Sequence, residues 1–173
     1  AINLSATTIN SEGFFLLLQQ QADEWVLPPG AICFEITESS AINNLRHAAE
    51  FMRRCKALGF LFALDDFGMG MSSFGYLKDL PVDYLKIDGS FVKDLVHNPI
   101  DQAMTDAINR IGHLMGIQTV AEYAENEAII EALRRMGVDY AQGYGVCRPT
   151  PLLVPSETPK AVGRSVAAPQ PNR

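Results

Sequence analysis

Apolar residues along the chain recur in two patterns that alternate with each other. Positions 61–64 are apolar without a break, which is typical of a strand buried on both faces of a parallel sheet. Before this run, apolar residues recur every three or four positions over 45–58, and Gly59 follows where a helix C-terminal glycine is expected. The pattern therefore predicts a helix that leads through a glycine into a buried strand.

The same two patterns predict alternating strands and helices over most of the chain. The predicted strands are 1–4, 31–38, 61–66, 82–88, 118–122 and 138–145. The predicted helices are 12–23, 45–58, 74–79, 100–115 and 129–136. Helix, glycine and strand follow each other at 58–60, 115–117 and 136–138, which is a weak internal repeat. Alternating units of about 20 to 35 residues predict an α/β fold with a parallel sheet and helices outside it.

Composition and charge narrow the class of protein. The 173 residues suffice for one domain, and 47% apolar with 20% charged residues is ordinary for a globular protein. The net charge of −6 argues against DNA or an anionic membrane held by a basic surface. No apolar run approaches the ~18 residues of a membrane-spanning helix. The three cysteines lack paired spacing, and two of them lie in apolar periodic segments, which favours buried thiols in a reducing compartment. We therefore expect a cytoplasmic protein.

The last part of the chain has a different composition from the rest. From about Pro155 it is rich in Pro, Ala, Ser and basic residues and shows no periodicity. A segment of this kind has too few apolar residues to bury a core. We therefore expect one domain over residues 1–152 and a disordered tail over residues 153–173.

Polar or charged side chains stand near the carboxyl end of every predicted strand. They are Asn3, Glu35, Asp65 with Asp66, Lys86, Glu122 and Gln142. In a (β/α) barrel these ends meet on the face that carries the chemistry. Oxygen ligands suit Mg²⁺ or Mn²⁺, whereas zinc prefers His and Cys, and His47, His97 and His113 lie on or beside predicted helices. The pattern predicts a site for divalent cations in which the histidines take no part.

The adjacent carboxylates Asp65 and Asp66 allow two interpretations, because such a pair repels itself unless a cation lies between its members. The pair would be a solvated turn, or it would bridge two metal ions that activate water for in-line attack at phosphorus. The other strand ends favour the bridge. The role of Lys86 also remains open. Two nearby ions would lower its pKa, so that it orients or deprotonates the attacking water. Alternatively, Lys86 would form an ion pair that only balances charge.

A different reaction class fits many of the same residues. In enolase-type enzymes, acidic residues on successive barrel strands hold a metal, and a strand-end Lys abstracts a proton. Those sites usually use one carboxylate per strand. The doubled Asp65-Asp66 therefore favours two metals and phosphate chemistry over proton abstraction.

Six motifs over residues 1–152 carry a family resemblance. They are Asn3-Leu4-Ser5, Phe34-Glu35-Ile36-Thr37-Glu38, Asp65-Asp66-Phe67-Gly68, Tyr84-Leu85-Lys86-Ile87-Asp88, Val120-Ala121-Glu122 with Glu125, and Gln142-Gly143-Tyr144 with Pro149. In these motifs, and in their order, the chain resembles the EAL domain, the cyclic di-GMP phosphodiesterase family. The resemblance implies a (β/α)8 TIM-like barrel, here an N-terminally truncated portion with about six strands. It also implies hydrolysis of cyclic di-GMP to linear pGpG with two Mg²⁺ or Mn²⁺ ions.

The resemblance also implies a role for each matching residue. The implied metal ligands are Asn3, Glu35, Asp65, Asp66 and Glu122. The implied catalytic residues are Lys86, Glu122 and Gln142, and the implied substrate-binding residues are Asn3, Lys86 and Gln142. Glu38 and Glu125 would be supporting residues, with Glu38 anchoring the loop after Asp66. That loop, residues 67–73, resembles the family's regulatory loop, which implies a homodimer formed through it.

The chain departs from the family pattern in two places. Met69 and Met71 stand where the family loop usually has Thr and Tyr, which removes a hydroxyl that would anchor the loop. The Glu-x-Leu-x-Arg segment, which supplies a metal ligand and a substrate-site Arg, has no match here. We therefore expect this chain to be part of a longer protein and to show little activity by itself.

Two functions remain open at this stage. The first is a phosphodiesterase, and the alternative is an inactive receptor that binds cyclic di-GMP and signals to a partner. The state of the upstream segment would distinguish them. The family further implies a regulatory or diguanylate cyclase domain beside this one, and in some members a tether to the inner membrane.

Overall fold

The computed structural model describes residues 1–69 and 74–150, in which strands and helices alternate as predicted. The strands are β1 (Ile2–Asn3), β2 (Cys33–Thr37), β3 (Leu61–Phe67), β4 (Tyr84–Ile87), β5 (Gln118–Ala121) and β6 (Tyr140–Ala141). The helices are α1 (Ala6–Ile9), α2 (Glu12–Trp25), α3 (Glu38–Asn43), α4 (Leu45–Ala57), α5 (Gly89–Val92), α6 (Pro99–Leu114) and α7 (Glu127–Met136), and a 3-10 helix covers Phe74–Asp79. None of these helices is long and apolar enough to span a bilayer.

The six strands form one parallel sheet whose spatial order is the order of the chain, β1-β2-β3-β4-β5-β6. Each connection between neighbouring strands carries helical residues, as parallel pairing requires. The predicted α/β class and the six predicted strands are confirmed. Because all strands run the same way, their carboxyl ends lie along one edge of the sheet, where the predicted site residues are found.

The two faces of the sheet differ because side chains alternate along each strand. On the face covered by the helices, large apolar residues are fully buried, among them Ile36, Leu64 and Ile87. They pack with helical residues such as Met52 and Ile108 in one hydrophobic core. The alternate positions of the same strands point to the concave face and include charged residues, so the core and the candidate site share strands without sharing side chains.

Strand β3 continues beyond the predicted end at Asp65-Asp66. Its pairing with β4 shifts register between Leu64 and Phe67, and Asp66 has a left-handed backbone with φ of 55°. Phe67 is fully buried and stacks on Phe74 at a centroid distance of 5.3 Å. Because this ring is buried, strand pairing continues beyond the two carboxylates. The register shift and the left-handed backbone at Asp66 accommodate this extra residue.

The sequence patterns did not predict three short helices. α1, α3 and α5 have four to six residues, which is too short for helical periodicity to appear. Each begins at a capping side chain: Ser5, Thr37 and Asp88 accept hydrogen bonds from the backbone of the first turn. Two further predictions cannot be compared with the structure, because residues 70–73 of the predicted regulatory loop and the predicted disordered tail lie outside the described residues.

Two aspartates hold the amino-terminal edge of the sheet in the same way. Asp83 accepts the Phe62 backbone N–H at 2.9 Å and pairs with Lys56, while Asp139 accepts the Thr119 N–H at 2.7 Å. Asp139 also accepts a hydrogen bond from His113 at 2.9 Å. In each case the aspartate directly precedes one strand and caps the strand before it. Burial raises the pKa of the Asp139 carboxyl, but the hydrogen bonds from Thr119 and His113 outweigh it and hold that pKa below its usual value.

We expect Asp139→Asn to lower the free energy of unfolding at pH 7 by about 1 kcal/mol, because neutral hydrogen bonds replace charge-assisted ones. A folded-state pKa below the unfolded value means that the stabilisation is present above about pH 4 and is lost as the pH falls through the folded pKa. Urea denaturation should therefore show a difference between wild type and variant that narrows below about pH 4. Asp23→Asn, on the exposed surface of α2, is the matched control and should change little. A pH-independent difference would contradict the ionic role of Asp139.

Candidate metal centre

Four strands bring their charged residues together around the ammonium group of Lys86. Lys86 Nζ lies 3.2 Å from Glu35 Oε2, 2.7 Å from Asp65 Oδ1 and 2.8 Å from Glu122 Oε1. These residues come from β2, β3, β4 and the position after β5. The Lys86 side chain is only 5% exposed. Neighbouring parallel strands thus place three carboxylates from distant parts of the chain on one buried cation.

Asp65, Asp66 and Glu122 form a tighter cluster within this arrangement. Each offers a carboxylate oxygen, and the three oxygens lie within 4.8 Å of one another. The solvated-turn interpretation is wrong for Asp65, whose side chain is 15% exposed and lies within β3. Asp66 is exposed, and its left-handed backbone lets the adjacent carboxylates approach the same point although successive strand residues normally face opposite sides.

The residues present fit a divalent cation. Asp65 Oδ1 is buried and accepts no hydrogen bond of normal geometry among the described residues, despite its ion contact with Lys86. Four carboxylates, those of Glu35, Asp65, Asp66 and Glu122, face a single ammonium group, so the cluster carries excess negative charge. Oxygen donors of this kind suit Mg²⁺ or Mn²⁺. Negative charge that Lys86 compensates only in part is the feature that a bound cation would correct.

Burial and neighbouring charges shift the pKa values of several groups in the cluster. Burial raises the pKa of the Glu122 carboxyl, although Lys86 works in the opposite direction. Burial and the negative charges of Asp65 and Asp88 raise the pKa of Asp66. Burial by itself lowers the pKa of Lys86, but its close contacts with Asp65 and Glu122 outweigh that effect and hold the pKa above the usual value. With these contacts Lys86 is a cation that balances charge, and the lowered pKa predicted for it beside two ions stays a prediction.

Three other predicted site residues lie on the strands and loops around this cluster. Asn3 is paired in register with Glu35 in the neighbouring strand, on the outer strand β1. Gln142 directly follows β6 and lines a cavity of about 330 Å³ with Glu122 and Glu125. The Glu125 side chain is exposed and makes no hydrogen bond among the described residues. The structure thus places Gln142 beside Glu122, whereas the roles predicted for Asn3 and Glu125 stay predictions.

Glu38 contacts both sides of the loop that follows Asp66. Glu38 is 4% exposed; its Oε2 accepts the Gly68 N–H at 3.1 Å, and its Oε1 accepts the Tyr76 hydroxyl at 2.5 Å. Burial and this hydrogen bond to Glu38 raise the pKa of Tyr76. The contact with Gly68 is the anchoring predicted for Glu38. The sequence analysis missed Tyr76, since a tyrosine in a short helix carries no pattern that marks a buried hydroxyl partner.

The sequence analysis did not assign Asp88 to the site, although the structure places it there. It follows β4, caps α5 through the Ser90 N–H at 2.8 Å, and lines a cavity with Glu38 and Asp66. Its position directly after a predicted strand could have identified it, because the other site residues were predicted from their positions at strand ends. The histidines lie elsewhere: His113 pairs with Asp139 at the opposite edge of the sheet, and His47 and His97 are exposed.

Comparison with known proteins assigns a family to this arrangement. A family model described as EAL domain matches residues 1–149. The cyclic di-GMP phosphodiesterase PdeB of Shewanella oneidensis is 48% identical over 152 residues, which are 88% of this chain and 18% of that protein. The bifunctional diguanylate cyclase/cyclic di-GMP phosphodiesterase MucR of Pseudomonas aeruginosa is 36% identical over 151 residues, 87% of this chain and 22% of that protein. The chain spans about a fifth of the length of these curated relatives.

A solved structure supports the same assignment. The structure described as the PaMucR phosphodiesterase in complex with c-di-GMP matches with a TM-score of 0.80 and 36% identity, over 86% of this chain and 60% of that chain. Solved structures of this kind are EAL domains with a TIM-like barrel, and the six-stranded sheet is a truncated part of that barrel. The predicted fold class is confirmed.

We expect Tyr76→Phe to lower the free energy of unfolding by about 1–3 kcal/mol, because Glu38 Oε1 then loses its hydrogen-bond donor while remaining buried. Urea denaturation measures the change. Tyr84→Phe is the matched control, since the Tyr84 hydroxyl makes no hydrogen bond among the described residues, and it should shift stability by less than ~0.5 kcal/mol. Equal effects of the two substitutions would contradict the role of Glu38 as an anchor.

Proposed function

Because the chain belongs to the EAL domain family, we propose that it carries the metal-binding face of a phosphodiesterase that hydrolyses cyclic di-GMP to linear pGpG. Relatives named as cyclic di-GMP phosphodiesterases, and the c-di-GMP complex of a similar structure, support the substrate class. Since the chain spans only part of these relatives, the activity is proposed for the whole protein that contains this chain.

The observation that carries the proposal is the carboxylate cluster: oxygens of Asp65, Asp66 and Glu122 lie within 4.8 Å of one another, and a single lysine accompanies them among the described residues. The proposed ligands of two Mg²⁺ or Mn²⁺ ions are Asn3, Glu35, Asp65, Asp66 and Glu122. When bound, the two ions supply Lewis-acid polarisation of the phosphodiester and of the attacking water. The carboxylates hold this charge at one point of the barrel face, where the substrate's negative phosphates would otherwise be repelled.

Lys86 and Gln142 are the proposed groups that act on the attacking water and the substrate. Lys86 Nζ is held by three carboxylates at 2.7–3.2 Å and as an ammonium group would donate a hydrogen bond to the water. It would accept the proton of the water only if bound ions lowered its pKa enough to leave it neutral. Gln142 lies beside Glu122 and would position water or substrate through its amide. These roles divide the chemistry between charge, supplied by the carboxylate-bound ions, and orientation, supplied by neutral or cationic donors.

The oligomeric state, the neighbouring domain and the cellular location are also proposals. We propose a homodimer formed through the loop after Asp66, and a regulatory or diguanylate cyclase domain elsewhere in the protein, as the name of MucR indicates for that relative. A cytoplasmic location is supported by three cysteines that form no disulfide, Cys33, Cys55 and Cys147.

We expect Glu35→Ala to reduce the Mg²⁺- or Mn²⁺-dependent conversion of cyclic di-GMP to pGpG at least about 100-fold, as expected for loss of a direct ligand. The assay uses the full-length protein that contains this chain, with product quantified by chromatography. Glu50→Ala is the matched control, because Glu50 is exposed on α4 and contacts only Arg53 among the described residues. It should leave the rate unchanged.

Two outcomes would count against this assignment. Tight binding of cyclic di-GMP by the wild-type protein without formation of pGpG would favour the receptor function instead. Unchanged turnover in Glu35→Ala would remove Glu35 from the proposed ligand set while leaving the reaction itself in place.

A further inference from the structure

Tyr123 has a backbone conformation that is unusual for its residue type. Its φ is 52°, in the left-handed region, where a side chain with a β-carbon is disfavoured. It directly follows Glu122, the carboxylate that contacts Lys86 and clusters with Asp65 and Asp66. An unfavourable conformation persists when surrounding contacts impose it, so the contacts of Tyr123 indicate what the conformation does.

The left-handed residue lies where the chain changes its hydrogen-bonding partner. The Glu122 N–H donates to the Ile87 carbonyl at 3.2 Å, on the β4 side of the sheet. The Ala124 N–H donates to the Gln142 carbonyl at 3.0 Å, on the β6 side. Tyr123 is the single residue between these two bonds. Its positive φ therefore produces the bend that leaves Glu122 at the end of β5.

The ring of Tyr123 is held against the first residue of α5. A β-carbon on Gly89 would lie 2.1 Å from the Tyr123 ring, so the contact needs glycine at that position. Gly89 has no left-handed backbone that would require glycine for another reason. On the ring, Lys93 Nζ lies 4.2 Å from the centroid, within the range of a cation–π interaction. The ring, which remains about half exposed to solvent, thus lies between the α5 backbone and a cationic side chain.

These contacts join the two strand ends that meet at the candidate metal centre. Gly89 follows Asp88 at the end of β4, the strand that carries Lys86, whereas Tyr123 follows Glu122 at the end of β5. We propose that Tyr123 is a positioning residue, which fixes Glu122 for cation binding through the packing of its ring on Gly89. This inference rests on the proposed function in that Glu122 is taken as a metal ligand.

The hydroxyl group of Tyr123 has no part in this role. It makes no hydrogen bond among the described residues, and the contacts with Gly89 and Lys93 involve the ring. Tyr123→Phe therefore retains the positioning contact, while Tyr123→Ala removes it. Gly89→Ala provides an independent way to displace the ring, because its methyl group would occupy the same space.

The test is the Mn²⁺ affinity of the full-length protein that contains this chain, measured by isothermal titration calorimetry, with thermal unfolding recorded for every variant. We expect Tyr123→Ala and Gly89→Ala each to weaken Mn²⁺ binding about tenfold, the effect typical of losing a group that orients a ligand. Tyr123→Phe should bind within about twofold of wild type. The double variant Gly89→Ala/Tyr123→Ala should also be about tenfold weaker rather than a hundredfold, because both changes break one contact.

The outcomes separate this inference from the proposed function. Wild-type affinity in both Tyr123→Ala and Gly89→Ala would overturn the positioning role and leave the metal site intact. Equal losses in Tyr123→Phe and Tyr123→Ala would overturn it too, by assigning the effect to the hydroxyl. If one single variant does not fold, the other provides the same comparison. Absence of Mn²⁺ binding by the full-length wild-type protein would overturn the metal site and this inference together.

Discussion

A single buried ammonium group compensates the carboxylates that meet at the carboxyl edge of the sheet. Lys86 contacts Glu35, Asp65 and Glu122 at once, and its surroundings exclude most of the solvent that would otherwise screen these charges. Burying several carboxylates is costly unless cations accompany them. One lysine neutralises only part of the charge, and the pKa values of Glu122 and Asp66 are raised first by burial and then by neighbouring carboxylates. The site is therefore built for additional positive charge.

The two edges of the sheet treat carboxylates in opposite ways. At the amino-terminal edge, Asp83 and Asp139 each accept a backbone N–H from the neighbouring strand and pair with a basic side chain, so their charges are satisfied. At the carboxyl edge, Glu35, Asp65 and Glu122 share the single ammonium group of Lys86. The first edge contributes stability, whereas the second retains excess negative charge that binding chemistry can use, the division expected for a (β/α) barrel.

Irregular backbone near the site serves this arrangement. Asp66 and Tyr123 both have left-handed conformations, and both adjoin carboxylates of the cluster. A regular strand alternates its side chains between two faces, so it cannot direct two successive carboxylates to one point. The fold obtains that geometry from local strain, which is held in place by the buried ring of Phe67 in one case and by the packing of Tyr123 on Gly89 in the other.

The sequence by itself determined the α/β class, the succession of strands and helices along the chain, and most candidate site residues, because strand runs, helical spacing and glycine positions are local patterns. It also marked Glu35, Asp65, Lys86 and Glu122, since polar residues interrupt apolar strands at matching points. Tertiary structure alone decided that the three carboxylates contact one lysine, and that this lysine is buried. Such features depend on strand register and on burial, which arise when segments far apart in the chain pack together, and no local pattern encodes them.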